Sequence, residues 1–144
     1  MPTRTASTAW TGSLQQGTGR VELTSSGVGT YDVSFPTRAA DDADGTTSPE
    51  ELIAAAHSAC YAMSLSNEVS RGGGTPKSLA VQADVTLGPD PAGGFRLTGI
   101  ALTVSGDVEG LDAAGFAAAA QAAKVGCPVS KALTGVEITL DVTS

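Results

Sequence analysis

The chain has 144 residues, 15 acidic and 8 basic, a formal net charge of −7 and a pI near 4.4. That length suits one domain spanning 1–144, and 41% hydrophobic against 16% charged residues excludes both a disordered chain and a membrane protein. The scattered Lys and Arg form no phosphate-neutralising stripe, so no nucleic-acid partner is expected. The N-terminus has no apolar signal-peptide core and no window approaches about 18 consecutive apolar residues, which predicts a cytoplasmic protein with no membrane association.

In chain order, residues 3–11, 18–24 and 29–35 carry Thr, Val, Trp, Tyr and Phe, punctuated by Gly12, Gly17, Gly27 and Gly29, and predict three short strands. The segment from Pro36 to Thr47 is polar and aperiodic, an exposed loop by this reading. Ser48-Pro49-Glu50-Glu51 is a helix start, with a capping serine, a proline at the first helical position and Glu51 completing a capping box. The helix runs to about Arg71, ahead of Gly72-Gly73-Gly74, and from Leu52 to Leu65 it is apolar or small on every face apart from His57, so it should be buried all round.

Leu79, Val81, Ala83, Val85 and Leu87 alternate with more polar residues, and FRLTGIALTVSG follows the turn PDPAGG, which predicts a long hairpin. Asp112 caps a second helix ended by Gly126. Cys127-Pro128 opens a shorter helix to about Leu133, and Val136, Ile138, Leu140 and Val142 form a closing strand. The order βββ-α-ββ-αα-β is an α+β fold with antiparallel pairing.

Two cysteines and one histidine supply three of the usual four structural zinc ligands, so no metal is expected, with a catalytic zinc keeping an open position as the minor alternative. Cys60, mid-helix among alanines, reads first as a small buried hydrophobe. His57 lies three residues earlier on the same helical face, where it could share the thiol proton or simply be a hydrogen-bonded core histidine. Cys127 precedes a proline at a helix start, and unpaired N–H groups there would lower its thiol pKa, so local rules favour Cys127 as the nucleophile. Glu50 and Glu51 are explained by the helix cap and macrodipole, and Arg38 and Arg20 read as solvated charges. The glycine clusters lack a nucleotide-binding pattern.

Taken together, FPTRAADDADGTTSPEELIAAAHSACYAM, AKVGCPVSKAL and the terminal VEITLDV closely resemble the osmotically inducible protein C (OsmC) family, a sister of the organic hydroperoxide resistance (Ohr) proteins. The resemblance covers nearly the whole chain, with the three segments in the right order. It implies a thiol-dependent peroxidase that reduces organic hydroperoxides, and hydrogen peroxide, as an intertwined homodimer needing no cofactor and recharged by an external dithiol. Carried over by motif, the cysteine of SAC is peroxidatic, Cys60, and that of GCPVS is resolving, Cys127. The arginine of the TR pair is Arg38, oriented by Glu50, the first glutamate after Ser-Pro. The Ohr branch takes its arginine from the earlier strand region, where Arg20 is the rival. The alternative reading is a non-catalytic stress or small-molecule-binding protein of the same fold with inert cysteines.

Helix geometry bears on the implied site. Glu50 and Cys60 are ten residues apart, about 15 Å at 1.5 Å per residue, so both cannot reach one guanidinium within a subunit. Two copies of the helix crossing antiparallel near Ala55, the centre of Ala54-Ala55-Ala56, would bring residue 50 of one to residue 60 of the other, which predicts composite sites.

Overall fold

The computed structural model describes residues 1–143, which fall into two compact units, Met1–Leu52 and the chain from Ile53 onward. In the first unit, β1 (Ser7–Thr11), β2 (Thr18–Glu22) and β3 (Thr30–Val33) form an antiparallel meander in that spatial order. Residues 3–6, expected as strand, lie outside it. Trp10 faces Gly19 across the β1–β2 ladder, and a Cβ at Gly19 would stand 2.8 Å from the indole ring, so glycine is required by close approach. Val21 is the buried hydrophobic side chain of this unit and β1 is exposed throughout, so the sheet has a thin core.

The segment expected as a loop from Pro36 to Thr47 begins instead with a helical turn, α1 (Phe35–Arg38). Ser34 caps it, accepting from the Thr37 N–H at 3.4 Å, and Pro36 fits because the first turn needs no amide donor. The signal is the Ser-x-Pro pattern, too short to show a helical period.

The next helix, α2, spans Pro49–Arg71 as predicted. The Ser48 hydroxyl accepts from the Glu51 N–H at 3.1 Å, but the Glu51 carboxylate takes the Thr47 hydroxyl at 2.5 Å, so the expected capping box closes on one arm. At the other end Gly73 has φ of 91°, its N–H bonds the Ser70 carbonyl and the Gly74 N–H bonds that of Val69. This is a Schellman closure, which needs glycine at the left-handed position.

In the second unit, β4 (Thr75–Pro89) and β5 (Phe95–Glu109) form the predicted hairpin, and β6 (Ile138–Val142) lies on the far side of β5. β6 pairs with β5 in parallel, against the expectation of antiparallel pairing throughout. The connection explains it: α3 (Ala113–Gly126) and α4 (Pro128–Ala132) return the chain to the end where β5 began, which is what parallel neighbours require. Asp112 caps α3 through the Gly115 N–H at 2.7 Å.

The core joins Tyr61, Leu65 and Val69 of α2 to Ile100, Leu102 and Val104 of β5 and to Ala119, Ala120 and Ala123 of α3. Each large aliphatic side chain there contributes roughly 1.5–3 kcal/mol of burial. The expectation that α2 is buried all round is not met within one chain: His57, Tyr61, Leu65 and Val69 form a buried stripe at intervals of four, while Ala55, Ala56, Ala59 and Met63 are exposed, Met63 at 74%. The chain supplies core partners for one stripe and leaves an apolar surface bare. Among the described residues no helix is long and apolar enough to cross a membrane.

Candidate active site

Two clusters hold the residues singled out in the sequence, one in each unit. In the first, α1 ends at Arg38 and α2 begins at Pro49, which brings Arg38 and Glu50 together. The Arg38 Nε donates to Glu50 Oε1 at 3.0 Å and Oε2 at 3.2 Å, and Nη2 donates to Oε1 at 2.8 Å. This is the forked geometry of a guanidinium held in a fixed plane. The carboxylate is nearly buried at 10% exposure while the guanidinium side keeps 34%, so the arginine retains an open edge. Arg38 thus ends a helical turn, where the sequence suggested a loop residue.

Arg20 is differently placed. It sits opposite Asp32 in the β2–β3 ladder, with Nε 3.4 Å from Oδ1 and both side chains about two-thirds exposed, an ordinary cross-strand surface pair. Glu51 is exposed and turned to Thr47. Beside Arg38 lies a cavity of about 390 Å³, lined mainly by apolar side chains including Trp10, Leu14, Val21, Phe35 and Leu52.

In the second unit, Cys60 of α2 and Cys127, between α3 and α4, bring their sulfurs to 3.1 Å across 67 residues of sequence. Both are free thiols, Cys127 fully buried and Cys60 partly exposed. A disulfide needs about 2.05 Å, so closing one takes a movement of about 1 Å. Burial pushes the Cys60 thiol up, and its hydrogen bond to Cys127 raises it further. Burial also raises Cys127, but the Ser130 N–H, the Cys60 thiol, the Ser130 hydroxyl and the Val129 N–H outweigh it and leave Cys127 below its ordinary value. Within one chain Cys127 is therefore the thiol whose pKa is lowered, as the local sequence argument anticipated.

His57 does not serve Cys60 in this arrangement. Its Nε2 lies 2.7 Å from the Ser130 hydroxyl oxygen, and burial lowers its pKa. Ser130 and Tyr61 escaped attention in the sequence. Ser130 was legible as a hydroxyl three residues after a cysteine at a helix start. Tyr61, whose hydroxyl donates to the Ala120 carbonyl at 2.8 Å, carried no signal beyond lying next to Cys60. Among the described residues no group of three or more His, Cys, Asp or Glu side chains could hold a metal ion.

The family model described as OsmC-like protein matches residues 41–141. The chain is 43% identical over 132 residues to the Escherichia coli (strain K12) protein named peroxiredoxin OsmC, covering 92% of this chain and 90% of that one. It is 37% identical over 114 residues to the organic hydroperoxide resistance protein OhrA of Bacillus subtilis (strain 168), covering 77% and 78%. The crystal structure of the organic hydroperoxide resistance protein OhrB of Bacillus subtilis superposes with a TM-score of 0.76 at 28% identity, over 96% of this chain and 98% of that one. An α+β fold shared across nearly the full length, a family match over residues 41–141 and a relative 43% identical over 92% of the chain place this protein in the OsmC-like family.

Proposed function

We propose that the protein is a thiol peroxidase of peroxide defence that reduces organic hydroperoxides, and hydrogen peroxide, through Cys60 and Cys127. The observation that carries this reading is the 3.1 Å approach of two free thiols 67 residues apart, one of them partly exposed. The names of the curated relatives, peroxiredoxin OsmC and organic hydroperoxide resistance protein, support the substrate class.

In this mechanism the Cys60 thiolate attacks the distal oxygen of the hydroperoxide. The O–O bond breaks, the alcohol leaves with a proton, and Cys60 becomes a sulfenic acid. Cys127 condenses with it, releasing water and forming the disulfide, and an external dithiol in a reducing cytosol restores both thiols. No metal or organic cofactor takes part.

The thiolate must form on Cys60, yet burial in the single chain pushes that thiol's pKa up, so a cation has to be brought close. Arg38, held by Glu50, is that cation in this reading, and Arg20, tied to Asp32 at the surface, is not. Because Glu50 and Cys60 are about 15 Å apart along one helix, the Arg38–Glu50 pair comes from a second copy. The bare Ala55-Ala56-Ala59-Met63 surface of α2 is where that copy packs, giving a homodimer with two composite sites. The apolar cavity beside Arg38 favours alkyl over hydrogen peroxide.

Intact mass after one equivalent of cumene hydroperoxide tests the proposal, with wild type beside Cys127→Ser. The wild type should lose two hydrogens and the variant should gain one oxygen. Unchanged masses in both would favour the binding protein with inert cysteines.

A further inference from the structure

The chain has one tryptophan, Trp10, and the peroxide chemistry above makes no use of it. It stands on β1, a strand exposed throughout, and is itself 42% exposed, yet its ring is held on two sides. The indole Nε1–H donates to the Gly12 carbonyl at 3.0 Å. That carbonyl is placed by a turn that calls for glycine: Gly12 has φ of 98°, and a Cβ on it would stand 2.9 Å from the Gly17 Cα. Across the β1–β2 ladder, the bare backbone of Gly19 leaves the room that the ring fills, since a Cβ there would meet Cε3 at 2.8 Å.

A fixed, half-exposed indole is built as a contact surface. Its side chain is already ordered, so a ligand that covers it gains apolar burial without the entropy cost of freezing a mobile group. Trp10 lines the cavity of about 390 Å³ together with Thr8, Leu14, Val21 and Leu52, and Arg38 lines the same cavity. All of these residues belong to the first compact unit. The volume lies within the range of small-molecule sites, roughly 300–1,000 Å³, and the lining follows their pattern of apolar walls with one charged group. Glu50 takes Nε and Nη2 of the guanidinium, which leaves the Nη1 donors for a ligand oxygen.

We propose that Trp10 is the specificity-determining residue for the organic group of the hydroperoxide: the peroxide oxygens sit at the Nη1 edge of Arg38, and the hydrocarbon part lies against the indole. The wall selects a compact aryl or branched alkyl group able to cover the ring. This assignment rests on the peroxidase reading, and Trp10 itself carries no chemistry. Hydrogen peroxide has no hydrocarbon part and gains nothing from Trp10. Cumene hydroperoxide offers a phenyl ring, which meets an indole favourably in offset or edge-on contact. Discrimination between the two is therefore a difference in binding created by one wall of the cavity.

The test compares kcat/KM for cumene hydroperoxide with kcat/KM for hydrogen peroxide in wild type, Trp10→Ala and Trp10→Phe. Trp10→Ala should lower the ratio of the two roughly 10- to 100-fold, and Trp10→Phe, which keeps an aromatic face, should stay within about threefold of wild type. Loosened packing of the sheet lowers both rates alike and leaves the ratio where it was. A wild-type ratio in Trp10→Ala overturns the proposal. A second measurement needs no variant, because the emission of the single tryptophan reports on the cavity in the wild-type protein. Titration with 2-phenyl-2-propanol, the alcohol that reduction of cumene hydroperoxide leaves, should shift that emission to the blue and saturate, whereas glycerol should not. A response to the alcohol that never saturates also overturns the proposal. A saturating shift in a protein that consumes no hydroperoxide would keep the organic-group site and refute the peroxidase reading, and turnover with unchanged selectivity in Trp10→Ala would do the reverse.

Discussion

Replacing Arg38 by lysine separates charge from geometry. The guanidinium makes three contacts to Glu50, between 2.8 and 3.2 Å, which fix its plane. A lysine ammonium keeps the charge and can keep about one of them. Two charge-assisted bonds at roughly 1.5–3 kcal/mol each are lost, and since the side chain is 34% exposed, water makes good about half. About 1.5–3 kcal/mol of orientation is forfeited, which at 1.36 kcal/mol per tenfold is roughly 10- to 150-fold in kcat/KM for an organic hydroperoxide. Stability should fall by no more than that same free energy, because the lysine charge still stands beside the nearly buried Glu50 carboxylate. Steady-state consumption of cumene hydroperoxide with dithiothreitol, beside thermal unfolding, measures both. Arg20→Ala, which breaks an exposed cross-strand pair, should leave the rate unchanged. A wild-type rate in Arg38→Lys, or a collapse in Arg20→Ala, would refute the assignment of the arginine.

Cys60→Ser should abolish peroxide consumption, whereas Cys127→Ser should permit one reduction per site without external thiol, counted by residual peroxide in a single-turnover assay. Ala55→Trp should give a monomer by light scattering and lose peroxidase activity in the same preparation. Tyr61→Phe removes the bond to the Ala120 carbonyl and should cost about 1 kcal/mol, a few degrees in Tm. Its pH dependence has a definite sign: burial and the Cys127 charge raise the Tyr61 pKa above its ordinary 10.0, so the unfolded chain releases the phenolic proton first. The Tyr61 contribution is present in full below about pH 10 and is lost as the pH rises beyond it. Chemical denaturation at pH 8 and pH 11 should show a smaller alkaline loss in Tyr61→Phe than in wild type.

The elements with strong local chemistry were legible in sequence. Ser48-Pro49 and the glycine triplet bound α2 because cap geometry is encoded in a few adjacent residues. The alternation from Leu79 to Leu87 shows the hairpin because every second side chain meets the core. Three features were not legible, each for want of a local signal. The parallel placement of β6 depends on where α3 and α4 deliver the chain, and α1 is one turn long. The pairing of His57 with Ser130 spans 73 residues. Helical spacing brought His57 to the face of Cys60, but a buried imidazole satisfies its nitrogen with whatever hydroxyl the fold presents. Arg38 and Glu50 show the complementary case, since their sequence explanations as surface charge and helix cap are individually adequate and only their juxtaposition reveals the fork.

The order in which the two thiols ionise joins these features. A peroxidatic cysteine that is a thiolate at all times is open to alkylation and over-oxidation. Here Cys60 is the partly exposed thiol and the one whose pKa burial pushes up, while the thiol with lowered pKa, Cys127, is fully buried. One chain alone thus exposes the sulfur with the raised pKa and buries the one with the lowered pKa. A guanidinium brought to Cys60 by a second chain would reverse the order by charge attraction at about 4–6 Å, with no change in the core around Cys127. In the proposed dimer, assembly and reactivity are consequently one event. In that dimer the same alanine and methionine surface that is bare on α2 in one chain would admit the cation that Cys60 requires.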